Sequence, residues 1–431
     1  MLPILFFGGL LVFFYFLWSR RRFYKLMVQI PGPLGLPLLG IVLEYYINKL
    51  NMNQRTKYMD TYGSTVLAWI GIRPIIVSRD PKIAEDILTT PQCINRISRL
   101  TKAMENIYGQ GLMTLQDTAW ANRRKHMNPS FRQYVLLSFL PIFNSETKTL
   151  LTQMDTSVGE TDLLPFLYRW SFSISHQTVL GADVKGETNC KNNTLNEPWN
   201  STDVSSDIVI NRVMELYRKG EISLEEVKGE SCNMVLAAFE TTALTVNHTL
   251  ILLAMFPQYQ ELVFEELKEV FPDGGDFEVK FEDVQKLVYL DRVLNETLRL
   301  FPAIPISTRE AKEDFRLSNG VLVPKGVILG IDTFNLHRNR DLWGHDADTF
   351  DPDRFLTDNV RQRHPYAFIP YLKGTRYCIG WRYAQISLKI ALARIVRNYK
   401  LSTSFRYEDL VFIDNIVIKL DKSPLLNLKK R

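Results

Sequence analysis

One stretch near the C-terminal end of the chain carries chemistry that few proteins need: Pro370-Tyr371-Leu372-Lys373-Gly374-Thr375-Arg376-Tyr377-Cys378-Ile379-Gly380-Trp381-Arg382-Tyr383-Ala384. A single cysteine stands between two glycines, two residues after an arginine, and just ahead of helically spaced apolar residues (Ile386, Leu388, Ile390, Ala391, Ile395, Val396). A thiol at the mouth of a helix is favoured as thiolate by free amide N–H groups and the positive dipole end, and Arg376 adds a cation. Gly374 and Gly380 allow a tight turn and the close approach of something large and flat. Such a site suits a soft metal bond, and the competing reading is a buried structural cysteine.

Three further groupings stand out. Trp120 and Arg124 lie four apart in a basic helical stretch, Trp120 to Lys125, that reads otherwise as a solvated face. Ala237-Ala238-Phe239-Glu240-Thr241-Thr242 sets a carboxylate and two hydroxyls inside an apolar helix, with small residues that let a group pack close. The bland alternative is a solvent-facing glutamate with threonines bonded back to their own helix. Glu296 and Arg299 share a helix face at i, i+3, and Arg354 follows in Pro352-Asp353-Arg354-Phe355.

The elements that must position these groups are legible. Ser223-x-x-Glu226 is a capping box, and the pattern behind it runs to Met255, just before Pro257, a helix of roughly 50 Å. Tyr45 to Tyr62 has helical spacing, two apolar runs around Arg73-Pro74 predict a hairpin, and Asp80-Pro81 opens a helix through Leu88. Ser171 to Leu180 and Val288 to Leu300 read as helices. Phe301 to Arg309 must be extended because proline and its predecessor avoid helix. Gly186 to Asp207 is polar and turn-rich, with one helical piece, Ile208 to Lys219, behind it. The fold class is mainly α with small β-sheets (α+β).

A net charge of +5 is too mild to argue for nucleic acid as a partner, no Lys/Arg run is long enough to make a binding tail, and the scattered Cys93, Cys190, Cys232 and Cys378 suggest no disulfide framework. None of the six histidines has ligand spacing with another. Leu2 to Trp18 carries no charge and would span about 25 Å as a helix, at the short end for a bilayer crossing. The Ser19-Arg20-Arg21-Arg22 cluster behind it keeps the following domain cytosolic. Residues 1–19 are expected as a transmembrane anchor, 20–40 as a basic, Pro/Gly-rich hinge, and 41–431 as the catalytic domain.

Tyr371-x-x-Gly374-x-Arg376-x-Cys378-x-Gly380, with Ala384 four residues on, resembles the heme-binding loop of the cytochrome P450 family, with Tyr371 where the family usually has Phe. The resemblance extends to all the groupings above and covers the chain after the anchor. It is most similar in texture to insect members of the clan containing the fatty-acid ω-hydroxylases. It implies a P450 fold with heme b, bound non-covalently because Ala237 stands where some relatives carry a heme-esterifying glutamate. It implies Cys378 as the axial iron ligand, Arg376, Trp120, Arg124, Arg309, Gly380 and Ala237 around the cofactor, and Glu240 and Thr241 as catalytic residues passing protons to dioxygen. Glu296, Arg299 and Arg354 become a structural brace. Ala238 departs from the usual glycine.

The partners implied are a lipophilic small-molecule substrate, dioxygen, the bilayer of the endoplasmic reticulum or microsome, and NADPH-cytochrome P450 reductase, which supplies electrons from NADPH and docks near Lys373, Arg382 and Arg123. The substrate stays open among hormones, fatty acids and xenobiotics including insecticides. Two long roof helices of the family have no evident counterpart after Val184. The expected function is therefore a heme-thiolate monooxygenase, with a heme-binding but catalytically impaired protein as the alternative; the Glu240-Thr241 pair argues against an isomerase.

Overall fold

The computed structural model describes residues 8–431 apart from 48–51, 182–206 and the single positions 9, 12, 16, 19, 20, 34, 37, 157, 158, 274 and 414. The elements that matter here are α1 (Met52–Tyr62), the hairpin β1 (Thr65–Ile70) and β2 (Arg73–Ser78), α2 (Pro81–Thr89), α3 (Ser98–Tyr108), α4 (Asp117–Met127), α5 (Leu140–Met154) and α6 (Leu164–Leu180). They continue with α7 (Val209–Arg218), α8 (Leu224–Met255), α9 (Pro257–Val270), α10 (Val288–Leu300), β3 (Ile306–Glu310), β4 (Ile328–Asp332) and α11 (Trp381–Asn398). At the C-terminal end are β5 (Tyr399–Ser402), the two-residue strands β6 (Phe412–Ile413) and β7 (Lys419–Leu420), and β8 (Leu426–Lys430). Helices dominate and the sheets are small, as the periodicity requires.

Local chemistry sets the ends of these elements. The Asp80 side chain accepts from the amides of Lys82 and Ile83, with Pro81 in the first turn of α2. At α8 the Ser223 hydroxyl accepts from the Glu226 amide while the Glu226 carboxylate accepts from the Ser223 amide, the reciprocal capping predicted. From Thr242 to Ala254 every residue of α8 is buried, so this helix is the axle of the core, packed on α6, α7, α10 and α11. It is long and apolar enough to cross a membrane, yet 61% of its apolar window lies inside the protein, which makes it a core helix. The four-stranded sheet runs β1-β2-β4-β3, with β2 and β4 parallel and β3 antiparallel to β4. The Arg309↔Leu329 register carries Arg309 from the extended proline segment into the interior.

Two stretches of the sequence reading fall wholly or partly outside the described residues. The polar interval after Val184 lies outside them except for Asp207 onward, and α7 begins one residue after the predicted Ile208. In the apolar N-terminal run, the described residues between 8 and 18 are helical. Phe13, Phe14, Tyr15 and Trp18 there are exposed. Farther on, Leu26 and Ile30 are buried in the core that covers the four-stranded sheet. The Pro/Gly stretch behind them lies along β1, where the Leu67 amide donates to the Pro31 carbonyl.

His248 on α8, against the Phe301 ring at 5.0 Å, and His337 are both buried without a carboxylate to pair them, and burial lowers each from 6.5 to about 3. Between those values the unfolded chain binds protons that the folded chain refuses. The stability they contribute is present above pH 6.5 and is lost as pH falls toward 3. Two such groups cost about 4 kcal/mol on going from pH 7.5 to pH 5. Urea midpoints at pH 7.5 and 5.0 check this, and equal midpoints would refute it.

Candidate heme-thiolate site

Cys378 is the last residue but one before the Gly380 cap of α11, and its loop is closed by the Cys378 amide donating to the Tyr371 carbonyl at 2.9 Å. Gly374 holds φ +72, and a Cβ there would stand 2.0 Å from the Leu88 carbonyl oxygen, so the loop crosses the end of α2 at a distance only glycine permits. Around Gly380 the nearest atom to such a Cβ is a Phe131 carbon at 3.8 Å, which leaves that side of the loop free for a flat group. The Cys378 residue reaches solvent-accessible surface while protein surrounds it on the scale of several ångströms, the condition of a side chain at the floor of a cleft.

The expectation that the helix mouth and the Arg376 cation favour the thiolate meets an opposing influence in this burial. Desolvation pushes the Cys378 thiol up, and the opposing Gly380 amide, Arg124 and Arg96 are weaker influences. A bound metal ion would supply the remaining stabilisation, since a coordinating thiol is deprotonated outright.

Four guanidinium groups cluster about the cysteine loop: Arg124 and Arg96 act on Cys378, and Arg96, Arg309 and Arg124 act on Arg376. Arg376 donates to the Leu115 carbonyl at 3.1 Å and lies over the Trp120 ring at 4.2 Å. Arg124 donates to the Tyr377 carbonyl at 3.0 Å and to Asn128 Oδ1 at 3.0 Å, tying α4 to the cysteine loop. Arg309 lies on β3 with 2% of its surface exposed, bonded to Ser307 Oγ and the Thr308 carbonyl. The fourth is Arg96, held by the Met113 carbonyl at 2.8 Å. It was missed from the sequence because it stands in an irregular loop with no pattern around it, and only its charge type could have suggested it.

These cations repel one another. Burial and the neighbours Arg96, Arg309 and Arg124 lower Arg376 to about 9, and burial with Arg96 lowers Arg309 to about 10. Asp117 is the acidic side chain that acts on Arg376, and it is already paired with Lys312 and Asn95. Two donors, Arg124 Nη2 and Arg376 Nε, are buried without a partner. Buried cations with unspent donors call for an anion of matching geometry. A flat metal macrocycle with two carboxylates, seated on Gly380 and bonded to Cys378, satisfies the donors, the charge and the thiol together; heme is such a group, and the residues present fit it.

The other sequence candidates divide into two groups. Glu296, Arg299 and Arg354 meet as expected: Arg299 binds both Glu296 oxygens at 2.6 and 2.7 Å and the carbonyls of His337, Ala347 and Thr349. Arg354 Nε lies 3.7 Å from Glu296, whose other support is the Asp351 amide at 2.9 Å. A polar cleft of about 520 Å³ beside this cluster, lined by Trp343, Arg354 and Asp351, shares no residue with the cysteine loop; a smaller one of about 380 Å³ runs along the loop itself, from Phe368 to Trp381.

On α8, Thr241 donates its hydroxyl to the Ala237 carbonyl at 2.8 Å, and Glu240 is ion-paired to Lys419 at 2.9 Å. Among the described residues no hydrogen bond or ion pair joins either to Cys378. Arg123 is a correction: it is buried between Glu230 at 2.7 Å and Glu226 at 3.1 Å, locking α4 to α8, and offers no docking charge. Burial in a low-dielectric wall makes such a charge a structural cross-link. Arg382, over the Trp381 ring, stays exposed.

The chain is similar to known proteins over nearly its whole length. The family model for cytochrome P450 matches residues 30–202 and 202–425. The Drosophila melanogaster protein "Probable cytochrome P450 313a3" is 48% identical over 481 aligned positions, covering 98% of each chain, and "Probable cytochrome P450 313a1" is equally similar over the same span. "Cytochrome P450 4c3" of the same fly is 25% identical over 491 positions, 96% of this chain and 91% of that one. An alignment of 481 positions against a chain of 431 residues leaves at least 50 positions of the first relative with no counterpart here.

Proposed function

The chain belongs to the cytochrome P450 family and is a heme-dependent monooxygenase, and from that premise we propose that Cys378 is the axial iron ligand of a non-covalently bound heme b and that Arg96, Arg124, Arg309, Arg376 and Trp120 hold its carboxylates. The clustering of four guanidiniums about the cysteine loop, three of them buried and two with unspent donors, is the observation that carries this reading. The bound heme supplies dioxygen activation, and a thiolate ligand favours O–O cleavage. The protein's residues supply the rest.

Gly380 and Ala237 leave room for the ring. Thr241, on the accessible turn of α8, presents a hydroxyl that now serves its own helix and can turn to a ligand in the cleft. Glu240 is the neighbouring carboxyl that brings protons from solvent, so that one oxygen atom leaves as water and the other enters a C–H bond. The Glu296-Arg299-Arg354 brace holds the segment behind the ring. The substrate is a lipophilic small molecule, with hormones, fatty acids and xenobiotics the classes to screen.

Residues 1–19 anchor the chain in the endoplasmic reticulum membrane with the domain from residue 41 on the cytosolic side and 20–40 between them; the exposed aromatic residues of the N-terminal helix support a lipid environment. Electrons come from NADPH through NADPH-cytochrome P450 reductase, which meets the exposed Arg382 and the half-buried Lys373. The positions missing relative to the 313a3 relative, and the meeting of the two family matches at residue 202, support a shortened roof after Val184. No observation favours the catalytically impaired alternative.

A carbon monoxide difference spectrum of the reduced protein tests the reading: the red-shifted Soret band is expected, and its absence would overturn thiolate ligation. Glu240→Gln is expected to slow NADPH-driven substrate oxidation by about 100-fold while leaving that band in place. Thr241→Ala should divert electrons from product to hydrogen peroxide, measured as peroxide released per NADPH.

A further inference from the structure

Glu240 is the group on α8 that this reading needs mobile, and the structure ties it down. Its Oε1 lies 2.9 Å from Lys419 Nζ, with the glutamate side chain 23% and the lysine side chain 44% exposed. Lys419 is on β7, paired antiparallel with β6. The hairpin is itself fixed to the proline segment by the Ile418 amide donating to the Ala303 carbonyl, and by the Phe412 ring against Phe301 at 4.9 Å and Phe334 at 5.4 Å. Lys419 therefore reaches Glu240 from a rigid base.

The opposite side is equally well defined. On α6 the Tyr168 ring packs on Phe239 at 5.9 Å, and its hydroxyl feels both Glu240 and Lys419. Ser171 donates to the Phe239 carbonyl at 2.8 Å, bracing the same turn. Thr241, the next residue, spends its hydroxyl on Ala237 and makes no bond to Glu240. Its own helix is thus held from both sides while the Glu240 carboxylate is paired with the hairpin and not with the Thr241 hydroxyl.

We propose that Lys419 is a positioning residue for the oxygen reaction: its ion pair holds the Glu240 carboxylate on the β6–β7 hairpin, and proton delivery to the heme pocket waits on that pair opening. The inference rests on Glu240 being the proton-delivering carboxyl. A partly exposed ion pair is weak, so the latch opens readily and its removal changes rates by a small factor. The reaction it governs is balanced: each NADPH, through the reductase, yields two electrons that with two protons reduce dioxygen to hydrogen peroxide when no substrate C–H bond takes the oxygen.

The test uses the full-length protein with reductase, without added substrate and then with dodecanoic acid as probe. Lys419→Met is expected to raise substrate-free NADPH oxidation about two- to five-fold. Lys419→Arg, which keeps the pair, stays at the parent rate. In a Glu240→Gln background, Lys419→Met is expected to have no effect, because Lys419 acts through the carboxylate. An unchanged or slower Lys419→Met protein, or an equal effect in the Glu240→Gln background, overturns the proposal. With dodecanoic acid the excess oxidation of Lys419→Met is expected to shrink, and a persistent excess counts against a latch opened in turnover. If the parent protein lacks the red-shifted carbon monoxide band, the heme-thiolate reading fails instead, so the two failures are distinguishable.

Discussion

Replacing Cys378 by alanine will abolish the red-shifted carbon monoxide band while the fold, read by far-ultraviolet circular dichroism, persists. The reason lies in what surrounds the sulfur. Burial pushes the thiol up, and the Gly380 amide, Arg124 and Arg96 offset only part of that. A metal bond would therefore be the dominant stabilisation of the thiolate, and among the described residues the other cysteines stand elsewhere: Cys93 is buried beside Arg309 with its thiol pushed up to about 12, and Cys232 is on α8. Cys378→Ser, which keeps an oxygen donor at the same place, should load heme without the red-shifted band. The four guanidiniums remain in both variants, so residual heme binding through its carboxylates is expected at reduced affinity. A normal red-shifted band in either variant would remove Cys378 from the site.

The second large effect is expected at Glu296. Arg299 is fully buried and binds Glu296 twice, with three backbone carbonyls sharing its other donors, while Arg354 completes the cluster from the other side. Glu296→Ala leaves two buried guanidiniums facing each other without their carboxylate, a loss of about 3–5 kcal/mol. Conservative Glu296→Gln keeps hydrogen-bond acceptance for one donor but not the charge and should fall between. Urea midpoints of the two variants check the order. An Ala variant as stable as the parent would mean that Asp346, which pairs with Arg354 at 2.6 Å, carries the cluster alone. Burial pushes the Glu296 carboxyl up against the pull of Arg299, so this is an expensive arrangement whose value is rigidity behind the cysteine loop.

Much of this protein was legible in its residues because the relevant signals are local. The loop from Tyr371 to Gly380 names its chemistry by residue type and spacing, the Ser223–Glu226 capping box marks where α8 starts, and Pro257 where it must stop. Helix ends, proline-extended strands and the Glu-x-x-Arg pair depend on neighbours within a few positions, which a linear reading contains. What required the tertiary structure were relations between distant segments. Arg96 joins the cations around Cys378 only because the loop before α3 folds against the cysteine loop, and nothing near it in the chain signals this. Arg123 has the sequence character of a surface cation and becomes a buried cross-link once α4 meets Glu230 on α8. Lys419 lies far along the chain from Glu240 and meets it only through the hairpin on the proline segment. The thiol itself shows the same division: the residues around Cys378 suggest a thiolate by their types and spacing, while burial, which no linear reading contains, pushes the thiol up. Charge type is written in the sequence, but whether a charge is solvated, paired or left waiting for a ligand is decided by what packs around it.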